Sequence, residues 1–173
     1  WVRRAMHSFI VDNPLNTVDF AKEVQPHLFC SVPRIYEKIY SNFIAAIESK
    51  AVLRFGLNIP ILSGIFKKKL KEAAGFGDLK FAISGAAPIN PDILALFQKL
   101  DIPLFEGYGM TENTAGATLN YLGHNKIGSV GKALPDTEIK IANDGEVMIQ
   151  GDHVMKGYYK NPEATTETLV DQW

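Results

Sequence analysis

Apolar residues recur at helical spacing in the first third of the chain and predict two helices there. Val18, Ala21 and Val24 follow one another at intervals of three, which predicts a short helix over residues 17–25. A longer apolar stripe repeats every four residues after Pro33, and proline suits the first turn of a helix. Its members are Ile35, Ile39, Phe43 and Ile47. The sequence therefore predicts a long amphipathic helix that ends at about residue 50.

Short apolar runs predict three buried strands. They cover residues 28–32, 79–83 and 102–105. Between the last two, Asn90 and Pro91 provide a cap and a first-turn proline for a helix over residues 91–100. Strand, helix and strand in this order form a βαβ unit, which we expect to be parallel and right-handed.

A lysine-rich stretch separates the long helix from this unit. Residues 53–62 are apolar but interrupted by Gly56 and Pro60, so they form either a loop or a frayed helix. Residues 64–74 predict a further helix that Gly75 and Gly77 end. Its lysines are Lys67, Lys68, Lys69 and Lys71. The simpler interpretation of these lysines is a solvated helix face, and the alternative is contact with ligand phosphates or anionic lipid headgroups.

The pattern changes after Asn113 and predicts antiparallel strands. Residues 114–120 and 126–134 are glycine-rich and strand-like, whereas residues 138–141 and 146–150 alternate polar and apolar side chains. Asn143, Asp144 and Gly145 join the alternating pair, which indicates a β-hairpin. Asn161 and Pro162 then predict the start of a last short helix.

These patterns together predict an α/β fold in two parts. Residues 1–113 form an α/β part with a parallel βαβ sheet and flanking helices, and residues 114–173 form a mainly antiparallel β part that ends in a short helix. We expect the second part to belong to a partial barrel.

Composition narrows the class of protein only slightly. Of 173 residues, 46% are hydrophobic and 21% charged, which is ordinary for a globular domain, and the net charge of -1 predicts no nucleic-acid partner. Cys30 is the one cysteine, so an internal disulfide is excluded, and its apolar neighbours predict a buried thiol. No apolar stretch reaches the roughly 20 residues that span a bilayer, and no cleavable signal is visible. These features make a cytoplasmic setting the default expectation.

Candidate chemistry is concentrated directly after the strand at residues 102–105. Gly107 and Gly109 allow unusual backbone dihedrals and close approach of a flat ligand, and Tyr108 between them offers a ring on which a base can stack. Thr111 can donate a hydrogen bond to a phosphate, and Glu112 is a hard oxygen ligand that suits Mg2+. The alternative interpretation is a glycine-rich turn with a surface Thr-Glu pair.

A second candidate stretch follows the strand at residues 79–83. Ser84, Gly85, Ala86 and Ala87 have little or no side chain, which leaves space for a planar ring against the backbone. The alternative is a tight strand-to-helix turn that needs small residues. Because the carboxyl ends of parallel strands meet at one edge of a sheet, we expect this stretch and the one at Tyr108 to form one site.

Other catalytic patterns are absent from the sequence. The histidines are His7, His27, His124 and His153. They show no metal-ligand spacing, and no Ser-His-Asp arrangement is visible.

Four ordered motifs resemble those of the adenylate-forming enzymes, the group that contains acyl-CoA synthetases, luciferases and peptide-synthetase adenylation domains. Residues 106–112 (Glu-Gly-Tyr-Gly-Met-Thr-Glu) resemble the Tyr-Gly-x-Thr-Glu motif, and residues 84–88 (Ser-Gly-Ala-Ala-Pro) resemble the adenine-side loop. Residues 151–165 are similar to a later signature, and residues 32–40 are most similar to the long-chain acyl-CoA synthetase branch. The resemblance covers residues 12–173.

The resemblance implies a two-step ligase reaction with ATP and CoA as co-substrates and Mg2+ as cofactor. A fatty acid carboxylate attacks the α-phosphate of ATP, and the thiol of CoA then displaces AMP. In this scheme Tyr108 packs on adenine, Thr111 contacts phosphate and Glu112 holds Mg2+, which makes Thr111 and Glu112 the catalytic pair. The nucleotide is also lined or supported by Ser84, Gly85, Ala86, Ala87, Glu106, Gly107 and Gly109.

The resemblance also implies that the chain is an internal piece of a large N-terminal domain. A phosphate loop would precede Trp1, and a ribose-binding Asp and a C-terminal domain with a catalytic Lys would follow Trp173, where Gln172 replaces the usual Gly. We therefore expect the chain alone to be inactive. A ligase for a short-chain or aromatic acid, or a non-catalytic nucleotide-binding or structural fragment, are the alternatives. Oligomeric state is not predicted, and peripheral membrane contact through the lysines stays open.

Overall fold

A computed structural model describes residues 11–13, 16–50, 55–57, 59–171 and 173. The helices, numbered in chain order, are α1 (Thr17–Val24), α2 (Pro33–Ser49), α3 (Pro60–Ala73), α4 (Pro91–Lys99) and α5 (Pro162–Thr168). The strands are β1 (Leu28–Ser31), β2 (Phe81–Ser84), β3 (Leu104–Tyr108), β4 (Thr118–Leu119), β5 (Lys132–Ala133), β6 (Glu138–Ile141) and β7 (Val147–Gln150).

Five of the strands form one mixed sheet in the order β1-β2-β3-β4-β5. β1, β2 and β3 run parallel, whereas β4 and β5 are antiparallel to their neighbours. The predicted parallel pairing across the βαβ unit is confirmed, and so is its helix, because the Asn90 side chain accepts a hydrogen bond from the Asp92 amide at the start of α4.

One face of the parallel strands carries the hydrophobic core. Phe29, Ala82 and Leu104 share this face, because side chains alternate along each strand. Tyr36 on α2 is fully buried against it, with ring centroids 5.8 Å from Phe29 and 6.0 Å from Phe97 on α4. The Tyr36 hydroxyl lies 2.9 Å from the Phe29 carbonyl and 2.8 Å from that of Ile83, so α2 is tied to both β1 and β2.

The opposite face of the same strands is partly exposed, and this corrects one prediction. Cys30 is exposed rather than buried, and Leu28 beside it is 51% exposed. The physical reason is that β1 is the edge strand, and Leu28 and Cys30 alternate with Phe29 onto the face away from the helices. Partial burial still raises the pKa of the Cys30 thiol. Further along this face, Phe81 and Phe105 stack with centroids 5.0 Å apart.

The lysine-rich helix begins earlier than the sequence predicted. α3 starts at Pro60 rather than at Gly64, with the proline in its first turn. Residues 53, 54 and 58 of the stretch at 53–62 lie outside the described residues. Gly75 ends the helix with φ +83°, where an added Cβ would lie 2.3 Å from the Ala21 backbone.

The second half of the chain contains shorter strands than predicted. β4 and β5 have two residues each, and loops fill the rest of residues 114–134. The β6–β7 hairpin is confirmed, with Gly145 at φ +94° in its turn, and the Asn161 side chain caps α5 through the Ala164 amide. β4 and β5, which follow residue 113, belong to the same sheet as β1, β2 and β3. The boundary between two parts of the chain at residue 113 and the partial barrel both stay predictions.

Among the described helices, none has the length and apolar character to cross a membrane.

Candidate active site

The two candidate stretches lie side by side at the carboxyl edge of the parallel strands. Ser84, the last residue of β2, is the Cα partner of Glu106 in β3. One residue further on, a Cβ built on Gly85 would lie 3.5 Å from the Gly107 carbonyl oxygen. The expected convergence of the two stretches is therefore present, and it follows from parallel pairing in this register.

The Ser84 and Glu106 side chains point toward the helices rather than into solvent. They are 1% and 8% exposed and share the sheet face of Ala82 and Leu104. In the described part of the chain, Ser84 Oγ and Glu106 Oε2 are buried without a hydrogen-bond partner. Ser84 can therefore line a ligand only through its backbone. Both side chains lie on the helix-facing side of the sheet, beneath the edge where a ligand would bind.

The loop after β2 is exposed and holds a backbone conformation that the sequence did not indicate. Ala86 and Ala87 are exposed, and Ala86 has φ +69°. For a residue with a Cβ, this left-handed conformation costs about 1–2 kcal/mol relative to the right-handed region. Strained backbone of this kind is frequent at functional loops. Because Ala86 and Ala87 are exposed, they are the part of this stretch that a ligand can reach.

β3 extends further than predicted, and its glycines serve a different purpose. The strand runs through Gly107 to Tyr108 because it pairs with β4, so these residues are not in a loop. Neither Gly107 nor Gly109 has a positive φ, which contradicts the predicted unusual dihedrals. Instead, a Cβ on Gly107 would lie 3.1 Å from Leu119 Cδ1, and one on Gly109 would lie 2.4 Å from the Ala115 carbonyl carbon. The glycines let the chain pass close to itself.

Beyond Gly109 the chain forms a tight turn that carries the Thr-Glu pair. Thr111–Asn113 is one turn of 3-10 helix, with Thr111 exposed and Glu112 partly exposed. Asn113 is 2% exposed, and its Oδ1 accepts a hydrogen bond of 2.9 Å from the Met110 amide. The Met110 carbonyl then accepts the Ala115 amide at 2.9 Å, which closes the turn. These bonds fix the backbone on which both side chains stand.

Glu112 contacts a second segment of the chain, 46 residues away. The Tyr158 hydroxyl donates a hydrogen bond of 2.6 Å to Glu112 Oε1. This bond lowers the pKa of Glu112 and raises the pKa of Tyr158, because it favours the carboxylate and the protonated hydroxyl. The Met155 amide donates to the Glu112 carbonyl at 2.7 Å, and the Thr114 hydroxyl donates to the His153 carbonyl at 2.7 Å.

The donor set fits a phosphate-bound magnesium ion better than a protein-enclosed metal. Within the described ranges, no group of three His, Cys, Asp or Glu residues could hold a metal ion, and His7 lies outside those ranges. Mg2+ that is bound with a nucleotide commonly takes one or two carboxylates, and phosphates and water complete its shell. Glu112 offers such a carboxylate, in the ionised form and on a fixed backbone.

A cavity lies beside Glu112, between the turn, the β6–β7 hairpin and α5. Its volume is about 210 Å3, and its lining includes Met110, Glu112, Val147, Leu169 and Trp173. This volume is below the roughly 300–1,000 Å3 of a complete small-molecule site, so it accommodates part of a ligand.

Tyr158 is the residue of this site that the sequence analysis missed. It lies in the stretch 151–165, whose resemblance to a family signature was noted, but no periodicity or spacing connected it with Glu112. Only the adjacent packing of the two segments reveals the contact. For the residues predicted from sequence, the structure gives positions, and their roles in binding stay predictions.

Comparison with known proteins identifies relatives of the chain. Residues 4–159 match a family model described as AMP-binding enzyme. The chain is 33% identical over 184 residues to the human long-chain-fatty-acid–CoA ligase 6, covering 90% of this chain and 26% of the relative. It is 31% identical over 173 residues to the long-chain-fatty-acid–CoA ligase FadD15 of Mycobacterium bovis, covering 86% of this chain and 29% of the relative.

A solved structure shares the fold. The N-terminal domain of FACL13 from Mycobacterium tuberculosis matches with a TM-score of 0.59 at 22% identity, covering 91% of this chain and 36% of that domain. The predicted α/β class is thus confirmed, because the neighbour is an N-terminal domain of the expected type. The chain spans between 26% and 32% of the length of the curated relatives that it matches.

Proposed function

Because this chain belongs to the AMP-binding enzyme family, we propose that the full-length protein is an ATP-dependent ligase that joins a long-chain fatty acid to CoA. The proposal of a long acyl chain is supported by relatives named as long-chain-fatty-acid–CoA ligases at 31% and 33% identity.

The reaction has two steps, and the candidate site acts in the first. The fatty acid carboxylate attacks the α-phosphate of ATP, pyrophosphate leaves, and the thiol of CoA then displaces AMP from the acyl-adenylate. Tyr108 stacks on the adenine ring, the exposed loop at Ala86 and Ala87 lines the other side of the base, and Thr111 donates a hydrogen bond to phosphate. Glu112 would hold Mg2+, which would supply positive charge where the phosphates need neutralisation.

The observation that carries the proposal is the register of β2 and β3. Pairing of Ser84 with Glu106 brings the base-binding loop and the Thr-Glu turn to one edge of the sheet. A ligand that touches both segments needs this arrangement, and open α/β sheets bind ligands at this edge.

Two alternatives remain for the same fold. In the first alternative, the enzyme acts on a shorter or aromatic acid. An anthranilate CoA ligase has the same fold, with a TM-score of 0.65 at 18% identity. Otherwise the chain is a non-catalytic nucleotide-binding or structural unit. We expect the 173 residues alone to lack ligase activity, since they span about a third or less of the length of the relatives.

We propose a cytoplasmic setting for the protein, with a peripheral contact to membranes through α3. Leu62, Ile65 and Lys69 are exposed and share one helix face by their spacing. Lys68 flanks this face, whereas Lys67 is engaged at 2.9 Å by Asp101. Lys68 also lies 3.8 Å from Glu72 Oε1, in a pair that stays exposed to solvent. Apolar side chains beside exposed lysines suit an anionic lipid surface.

A pyrophosphate exchange assay with the full-length protein tests the proposed activity. ATP–pyrophosphate exchange, measured with fatty acids of increasing length and with aromatic acids, should be highest with long-chain acids. A maximum with an aromatic or short acid would contradict the proposed substrate, and no exchange with any acid would contradict the proposed reaction.

A further inference from the structure

The contact between Tyr158 and Glu112 joins a metal-binding candidate to a segment with no assigned role. We propose that Tyr158 is a positioning residue, whose hydroxyl orients the Glu112 carboxylate so that it can bind a divalent cation. This inference rests on the proposed function, because it concerns the cation that accompanies the nucleotide.

The first argument is that the backbones of both partners are fixed before their side chains meet. The Glu112 carbonyl accepts the Met155 amide at 2.7 Å, and the Thr114 hydroxyl next to it binds the His153 carbonyl at 2.7 Å. These two bonds attach the Thr-Glu turn to the segment that carries Tyr158. The backbones that carry the hydroxyl and the carboxylate are therefore held at a fixed separation, so that only the side-chain rotamers must be ordered when the two groups meet.

The second argument is that Tyr158 is itself held from behind by α5. The Tyr158 amide donates a hydrogen bond to Thr165 Oγ1 at 2.9 Å. The Thr165 hydroxyl in turn donates to the Asn161 carbonyl at 2.8 Å. Gly157 precedes it with φ +145°, and a Cβ there would lie 2.7 Å from Thr165 Cγ2. The loop is therefore packed against α5 in a conformation that suits glycine.

The third argument concerns how the carboxylate oxygens are used. Tyr158 occupies Oε1 at 2.6 Å, a length typical of a strong hydrogen bond to a charged acceptor. A carboxylate has a second oxygen with its own lone pairs, so Oε2 stays available for a cation. A hydrogen bond to one oxygen thus selects the rotamer in which the other is presented, which is how partners of metal ligands tune metal affinity.

The adjacent tyrosine provides a matched control. Tyr159 is 87% exposed, and its described ring contact is with Lys160, at 5.3 Å. Tyr159→Phe removes a hydroxyl from the same loop with the same change in composition. Any effect specific to Tyr158→Phe then reports the bond to Glu112.

The test is Mg2+ binding to the full-length protein, measured by calorimetry in the presence of a nonhydrolysable ATP analogue. Tyr158→Phe should raise the apparent Kd for Mg2+ by about tenfold, the lower end of the range for partners of metal ligands. Tyr159→Phe should leave it unchanged. In pyrophosphate exchange, Tyr158→Phe should need more Mg2+ for half-maximal rate but recover when Mg2+ is in excess, whereas a folding defect would lower the rate at all Mg2+ concentrations.

A second variant approaches the same geometry from α5. Thr165→Val keeps the shape of the side chain but removes the acceptor of the Tyr158 amide, and it should raise the apparent Kd in the same direction. An unchanged Kd in both variants, with Mg2+-dependent binding in the wild type, would overturn the role of Tyr158 and leave the proposed function intact. A wild type without Mg2+-dependent nucleotide binding would overturn both.

Discussion

Gly109 is the position where a single added methyl group should separate catalytic geometry from folding. A Cβ at this residue would lie 2.4 Å from the Ala115 carbonyl carbon and oxygen and 2.6 Å from the Gly116 amide nitrogen. Ordinary contacts of this type begin near 3.4 Å. Gly109→Ala therefore requires a backbone displacement of about 1 Å between the two segments.

The displacement should be transmitted to the Thr-Glu turn. The Ala115 amide is bonded to the Met110 carbonyl at 2.9 Å, so moving Ala115 away from Gly109 pulls on the residues that carry Glu112. Overpacking of this kind costs roughly 1–3 kcal/mol of stability. A catalytic group displaced by about 1 Å can cost roughly a hundredfold in rate. We expect a larger loss of activity than of stability.

The assay compares pyrophosphate exchange and thermal unfolding of full-length Gly109→Ala with those of Gly64→Ala. Gly64 lies in the exposed part of α3, with nothing within 4 Å of an added Cβ, so alanine there should stabilise the helix by up to about 1 kcal/mol without changing activity. Gly109→Ala should lose activity by roughly a hundredfold while the protein remains folded. A Gly109→Ala variant with wild-type pyrophosphate exchange would refute the claim that the close contact between Gly109 and Ala115 determines the position of the Thr-Glu turn.

Two further predictions concern the core and the surface. Tyr36→Phe removes the hydroxyl that lies between the Phe29 and Ile83 carbonyls, and it should lower the free energy of unfolding by about 1–2 kcal/mol. Amide hydrogen exchange in β1 and β2 should become faster. Unchanged exchange in these strands would show that the two bonds do not stabilise them. Lys68→Gln with Lys69→Gln should weaken binding of the full-length protein to anionic vesicles by about 2 kcal/mol, roughly thirtyfold, at low salt. Absence of vesicle binding by the wild type at low salt, or equal binding by the variant, would refute the membrane contact.

Local signals in the sequence were sufficient wherever neighbouring residues determine the structure. Asn90 and Asn161 cap the helices that their positions predicted, and Gly145 occupies the hairpin turn that its neighbours predicted. The parallel βαβ unit followed from the order of its elements, and with it the shared edge of Ser84 and Glu106.

Features that depend on distant residues could not be predicted in this way. An apolar run does not reveal which face of a strand is covered, so the exposure of Cys30 depends on the edge position of β1. The extension of β3 to Tyr108 depends on pairing with β4, and the contact of Tyr158 with Glu112 joins segments 46 residues apart. The left-handed φ of Ala86 could not be predicted, because this conformation is usually indicated by a glycine and the residue here is alanine.

The magnesium dependence of pyrophosphate exchange in full-length Glu112→Ala tests the central claim most directly. We expect the variant to fold and to bind AMP, because Glu112 stands on the surface of a turn held by backbone bonds, but to lose Mg2+-dependent exchange. If Glu112→Ala exchanges pyrophosphate at the wild-type rate with the same Mg2+ requirement, the cation is held elsewhere, and the assignment of this edge of the sheet as the adenylation site is wrong.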